Sequence, residues 1–166
     1  MSRVIVIRKL TAGAFAPFGQ ILTTEGAHSY PINGGMTERF HDLANVEIAG
    51  ENGRTLISIF RGQPYDLPLT LRMVERHPLG SQAFMPLHDR PFLVIVAPDE
   101  DGVPGTPLAF LTEPGIGVNI GRNVWHGVLT PLDREGDFLV VDRGGEGNNL
   151  EEYFFGEPYL VSLENG

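Results

Sequence analysis

A chain of 166 residues with 42 % hydrophobic and 20 % charged side chains has the composition of one folded domain with a buried core, which excludes a disordered segment. Its formal net charge of −9, with Lys9 the one lysine among twelve Lys and Arg residues, argues against a nucleic-acid partner, whose phosphates call for clustered cations. The chain has no cysteine, which rules out disulfides and thiolate chemistry; with no run of roughly 18 apolar residues for a membrane span and no signal-peptide core, a cytoplasmic enzyme or binding protein for a small molecule is expected.

In chain order, residues 4–7 are β-branched and predict a strand, and residues 11–15 predict one helical turn, stopped by Pro17 and Gly19. Extended chain resumes at 21–23. Within 38–48, Phe40, Ala44, Val46 and Ile48 fall on even positions opposite His41, Asn45 and Glu47, the period of a strand. Residues 55–61 are strongly β, 67–76 form a strand interrupted at Pro68, and FLVIVA at 92–97 has the unbroken apolarity of a fully buried strand. The acidic, Gly- and Pro-rich stretch 98–107 predicts a surface loop, with strands returning at 108–111 and 137–142 around a glycine-rich segment, 115–125. Residues 150–160 place aromatics among acids and pack as strand or helix on the domain or on a second subunit. With 21 glycines and 13 prolines scattered between roughly ten short strands, and no long amphipathic helix, the chain reads as a single all-β domain over residues 1–166, a sandwich or barrel.

The polar residues that interrupt these apolar runs carry the chemistry. In MVERHPLGSQAFMP, Glu75 and His77 stand two apart on one strand face, about 6.7 Å from each other. Gln82 follows a turn, and His126 in NVWHGVL adds a fourth group from far along the chain. Facing inward, the four line a pocket. Facing outward, Glu75 pairs with Arg76 or Arg72 and His77 is a hydrogen-bonded core residue. As a pocket, two imidazoles, a carboxylate and an amide offer proton-transfer groups and ligands for a divalent ion such as Ni²⁺, Mn²⁺ or Zn²⁺.

Arg61 and Arg143 each close an apolar strand, and a guanidinium fork at a barrel mouth suits a small carboxylate; Arg143 has Asp142 or Asp137 as alternative partners. The turn Asn33-Gly34-Gly35 offers N–H groups to an anion or simply reverses a hairpin. His41 and Asp42 are adjacent and project to opposite faces, so no dyad is expected from them. His28 and His88 are expected at the surface, and Trp125 as wall material. Signatures of serine hydrolases, zincins, P-loops and dinucleotide folds are absent from the sequence.

The order Glu75, His77, Gln82, His126 resembles the paired signatures of cupins, with Glu75 where a histidine and Gln82 where a glutamate is usual. INGGMTERFHDLANVEI, LISIFRGQPYDLPLTLRMVERHPLGSQAFMPL, NVWHGVL and DFLVVDRGG resemble the ureidoglycolate lyase family over residues 1–159. The resemblance implies a cupin-type double-stranded β-helix (jelly-roll barrel) with few short helices, a homodimer, and cleavage of (S)-ureidoglycolate to glyoxylate and urea in allantoin (purine) degradation. It implies a divalent metal, nickel first, held by Glu75, His77, Gln82 and His126, and no organic cofactor. For that substrate, His77 or Glu75 is expected as base, His126 as acid or metal ligand, Gln82 as the group orienting urea or hydroxyl, and Arg61, Arg143 and Asn33 as substrate-binding residues. An amidohydrolase releasing ammonia and carbon dioxide, or a non-catalytic cupin binding a small hydroxy acid, are the alternatives.

Overall fold

Apolar runs of four to nine residues, broken by glycine and proline, give strands and almost nothing else. The structure, a computed structural model, describes residues 3–164. Strands β1 (Arg3–Val6) and β2 (Arg8–Lys9) precede one helical turn, α1 (Ala12–Phe15), capped where Thr11 Oγ1 accepts a hydrogen bond from the Ala14 N–H at 3.2 Å. Then come β3 (Gly19–Leu22), a hairpin of β4 (His28–Ile32) and β5 (Thr37–His41), β6 (Arg54–Gly62), β7 (Leu69–Arg76), β8 (Gln82–Pro86) and β9 (Phe92–Ala97). A small hairpin of β10 (Asp99–Glu100) and β11 (Val103–Pro104) leads to β12 (Leu108–Leu111), β13 (Gly117–Ile120), β14 (Trp125–His126), β15 (Thr130–Pro131), β16 (Gly136–Gly144) and β17 (Glu151–Ser162).

Two sheets face each other. One runs β1-β17-β7-β14-β9-β12-β2, with β15 also on β9, and the other β3-β13-β8-β16-β6. Phe92, Val94 and Val96 of β9 meet Phe84, Val118, Ile120, Phe138 and Val140 of the second sheet in the space between. Leu93, Ile95 and Ala97, alternating with them, pack on the other side with Leu71, Trp125, Tyr159 and Val161. β9 is therefore buried on both faces, which its unbroken apolar run requires. The result is the expected all-β, cupin-type barrel.

Three stretches differ from their sequence pattern. The strand expected over 38–48 ends at His41, because Asp42 takes a left-handed conformation (φ 55°). Beyond it the chain stays extended without a ladder, held by the Asn45 N–H on Gln20 Oε1 at 3.2 Å, the Glu47 N–H on Ser81 Oγ at 2.8 Å and a bridge between Ile48 and Gly80. The loop at 98–107 contains the β10–β11 hairpin, turned at Asp101 and Gly102 with φ of 54° and 88°, the pairing favoured in two-residue turns. The aromatic C-terminal segment is a strand, β17, inserted between β1 and β7; Tyr153 and Phe155 pack into the cluster that holds Trp125 while Phe154 between them is exposed, a period of two that no helix satisfies.

Candidate active site

Register decides which way the polar pair on β7 points. His126 of β14 pairs with Glu75 of β7 on one side and with Val96 of β9 on the other, and Val96 lies in the core between the sheets. Residues directly opposite in a ladder share a face, so Glu75 and His126 point inward. His77, just past the end of β7, joins them: one ligand atom each from Glu75, His77 and His126 lie within 4.8 Å of one another, and the two imidazole centroids are 5.1 Å apart. Gln82 comes from the facing sheet, opposite Ile120. Glu75, Gln82 and His126 line a cleft of about 380 Å³ walled by Phe60, Phe84, Val128 and Leu129, with Arg61 at its rim. Grooves of about 450 and 530 Å³ near α1 and the β4–β5 hairpin are larger, yet neither holds this convergence of ligand atoms.

Hydrogen bonds fix what the imidazoles present. The Nδ1–H of His126 donates to the Gly127 carbonyl at 2.9 Å, which leaves Nε2 with its lone pair; that atom is buried and has no partner among the described residues. Burial lowers the His126 pKa to about 4, against the Gly127 bond, which raises it, and with a smaller push from His77, so the ring is neutral at pH 7. His77 donates Nδ1–H to the Asn149 carbonyl at 2.8 Å, and its Nε2 stands 3.1 Å from Gln82 Oε1. Asn149 also accepts the Leu79 N–H on its side-chain oxygen at 2.8 Å, tying the turn after β7 to the loop before β17. A neutral imidazole has one N–H, so two oxygen acceptors on opposite sides of His77 call for a second proton, or another positive centre, at Nε2. Glu75 has its carboxyl pushed up by burial, which His77 opposes and Glu152 reinforces. Two imidazole nitrogens and a carboxylate with unmet electron pairs suit a divalent ion of the zinc or nickel kind.

The other expected residues fall elsewhere. Arg76, an alternative partner for Glu75, faces away: its Nε binds Glu151 at 2.7 Å and its Nη1 Asp99 at 2.9 Å, and it lies 4.2 Å over the Trp125 ring. Trp125 is buried on that outer side, its Nε1–H donating to Asp99 Oδ1 at 2.9 Å. Arg61 reaches the cleft rim but is chelated by Asp137 at 2.8 and 3.0 Å. Arg143, expected at a barrel mouth, is 6 % exposed and donates to the carbonyls of Ala49 and Glu146 at 2.7 Å and of Glu51 at 3.4 Å. It pairs with neither Asp142 nor Asp137. Strand alternation explains this: Asp142 points inward, so Arg143 points out, onto Gly80, where an added Cβ would lie 2.6 Å from the arginine Cβ. Asn33 sits at the exposed hairpin tip, its Nδ2 donating to Thr37 Oγ1 at 3.3 Å, and is not in the cleft wall. His28 is exposed as expected, whereas His88 is half-buried, edge-on to Phe138 at 5.0 Å.

Two residues of the site escaped the sequence reading. Asp142, inward-facing on β16, accepts a hydrogen bond from Gln82 Nε2 at 3.2 Å; the parity it shares with Phe138 and Val140 was the available signal. Asn149 acts on His77 through its backbone carbonyl, which leaves no trace in residue type.

Comparison with known proteins bears on what this site serves. The sequence model of the ureidoglycolate lyase family matches residues 2–162. Ureidoglycolate lyase of Chelativorans sp. (strain BNC1) is 68 % identical over 161 residues, 97 % of this chain and 98 % of that protein. Ureidoglycolate lyase 2 of Rhizobium meliloti (strain 1021) is 61 % identical over 155 residues, covering 93 % and 95 %, and ureidoglycolate lyase of Mesorhizobium japonicum is 59 % identical over 159, covering 96 % and 98 %. Matched over nearly its whole length, the chain belongs to the ureidoglycolate lyase family.

Proposed function

We propose that this protein cleaves (S)-ureidoglycolate to glyoxylate and urea, in the cytoplasm and in purine breakdown through allantoin. The observation that carries the reading is the convergence of Glu75, His77 and His126 within 4.8 Å at one end of an apolar-walled cleft, in a chain 68 % identical to a ureidoglycolate lyase. The substrate carbon bears a hydroxyl, a carboxylate and a ureido nitrogen. Cleavage removes the hydroxyl proton, turns its electron pair into the aldehyde C=O, and expels urea, whose nitrogen takes a proton. Glu75, held in a buried position that favours its protonated form, receives the hydroxyl proton and returns it to the departing nitrogen. Arg61 at the rim meets the carboxylate. Phe60, Phe84, Val128 and Leu129 exclude water from the reacting carbon and hold it in place.

A divalent ion, with nickel the proposed species, fits here because His126 Nε2 is buried without a partner among the described residues and His77 Nε2 faces an oxygen. Glu75, His77 and His126 would hold it, with Gln82 Oε1 beside them. Bound there it supplies Lewis acidity that lowers the pKa of the substrate hydroxyl. We also infer pairing with a second copy through the outer face of the five-stranded sheet, where the edge strand β6 leaves Ile57 75 % and Ile59 62 % exposed; bare apolar edges of this length are normally covered.

The deciding experiment is a product assay on purified protein. Equimolar urea and glyoxylate support the lyase; ammonia without urea sinks it. Chelation followed by re-addition of single ions tests the metal, with activity expected to fall and to return with nickel.

A further inference from the structure

Asp142 stands behind Gln82 as seen from the cleft. It follows Val141, which pairs with Ala83, and its Oδ2 takes the Gln82 Nε2–H at 3.2 Å, while the other end of the same amide, Oε1, lies 3.1 Å from His77 Nε2. A primary amide can be turned end for end with almost no change of shape. In this pocket the two ends differ sharply, because the oxygen can share a cation with the imidazoles and the NH₂ would repel it. An ionised carboxylate only accepts hydrogen bonds, so Asp142 tolerates the NH₂ beside it and rejects the oxygen. Among the described residues no Lys, Arg or His forms an ion pair with Asp142, and its neighbour Arg143 is bound to carbonyls on the opposite side. A half-buried carboxylate outside any ion pair costs folding free energy, so its presence asks for a reason other than stability.

We propose that Asp142 is a positioning residue which locks the Gln82 amide with its oxygen turned toward the meeting point of Glu75, His77 and His126, making Gln82 an oxygen donor to a divalent cation held there. The inference rests on the metal-dependent form of the reading above and extends it to a residue outside the cleft wall.

Ni²⁺ binding by calorimetry on chelator-treated full-length protein tests this, with thermal melts of the same metal-free samples. Asp142→Ala and Asp142→Leu should weaken Ni²⁺ binding by about tenfold or more, the scale of groups that orient metal ligands, while melting at or above the wild-type temperature. Asp142→Asn offers the Gln82 amide either an oxygen or an NH₂, so it lacks the exclusive preference of a carboxylate and should lose affinity, though less than Asp142→Ala. In a Gln82→Leu background, Asp142→Ala should have no further effect. Unchanged Ni²⁺ affinity in Asp142→Ala would overturn the proposal, as would equal losses in the Asn and Ala variants, a persisting effect without Gln82, or a wild type that binds no divalent ion. Glyoxylate release from ureidoglycolate is measured in parallel: a wild type that binds Ni²⁺ yet releases none refutes the lyase reading and leaves the role of Asp142 to the affinities.

Discussion

Two clusters of charged and aromatic groups lie back to back on β7, one residue apart. On the outer face Arg76 is held by Glu151 and Asp99 and covers Trp125, whose N–H is taken by Asp99. Each charge there has its opposite. On the inner face Glu75 meets two imidazoles, and the Nε2 of His126 is buried with no partner among the described residues. Both clusters draw on the same kinds of residue. What separates them is whether the electron pairs are already used, and unmet polar atoms that a fold nonetheless holds in place mark where function overrides stability.

Four substitutions or conditions would break or sharpen this contrast. Glu75→Gln keeps the shape and removes a buried charge; it should lower kcat by about 10³-fold with a urea midpoint at or above wild type, and a fall in stability instead would make Glu75 a structural group like Arg76. The next effect is one of pH. His126 titrates near 6.5 when unfolded and about 4 when folded, so the unfolded chain takes up the extra proton between those values. Its contribution is intact above pH 6.5 and declines as pH falls toward 4, by about 3 kcal/mol for the metal-free protein. Glu75 and Asp142, both raised by burial, act with the opposite sign, so the comparison to make is the stability curve of wild type against His126→Gln, which should lack this loss.

Smaller effects belong to the outer cluster and the rim. Arg76→Met should cost about 2 kcal/mol in chemical denaturation by leaving Asp99 and Glu151 without their guanidinium, with turnover within about threefold. Arg61→Ala should raise KM about fivefold and hardly change kcat, since Arg61 is exposed and touches only the cleft mouth. A large kcat effect there would move Arg61 from binding into the chemistry.

Side-chain periodicity made much of this legible. β9 and β16 followed from unbroken apolar runs, and the shared face of Glu75 and His77 from their spacing, whereas the direction of that face came only from the register of β14 on β7 and β9. Periodicity reports which way a side chain points and not whether a neighbouring strand exists, which is why residues 42–47 alternate like a strand but lie outside any ladder. The same limit misplaced Arg143. Ending an apolar strand says nothing about which side of the sheet the last residue takes, and counting two back from Asp142 to the buried Val140 would have turned Arg143 outward. Asn149 was invisible because a carbonyl belongs to every residue, and its use depends on where a distant loop comes to rest.

The topology also bears on how the molecule is made. β1 lies parallel to β17, with Arg3–Val6 alongside Tyr159–Ser162, and Glu75 meets His126 through β14 alone. Contacts so distant in sequence form only after large loops have closed, and chains dominated by them fold over milliseconds to seconds, at roughly the slow end for domains of this size. Refolding from urea should recover strand signal and the Glu75–His126 cluster in the same kinetic phase, because that cluster forms only when β14 pairs with the distant β7.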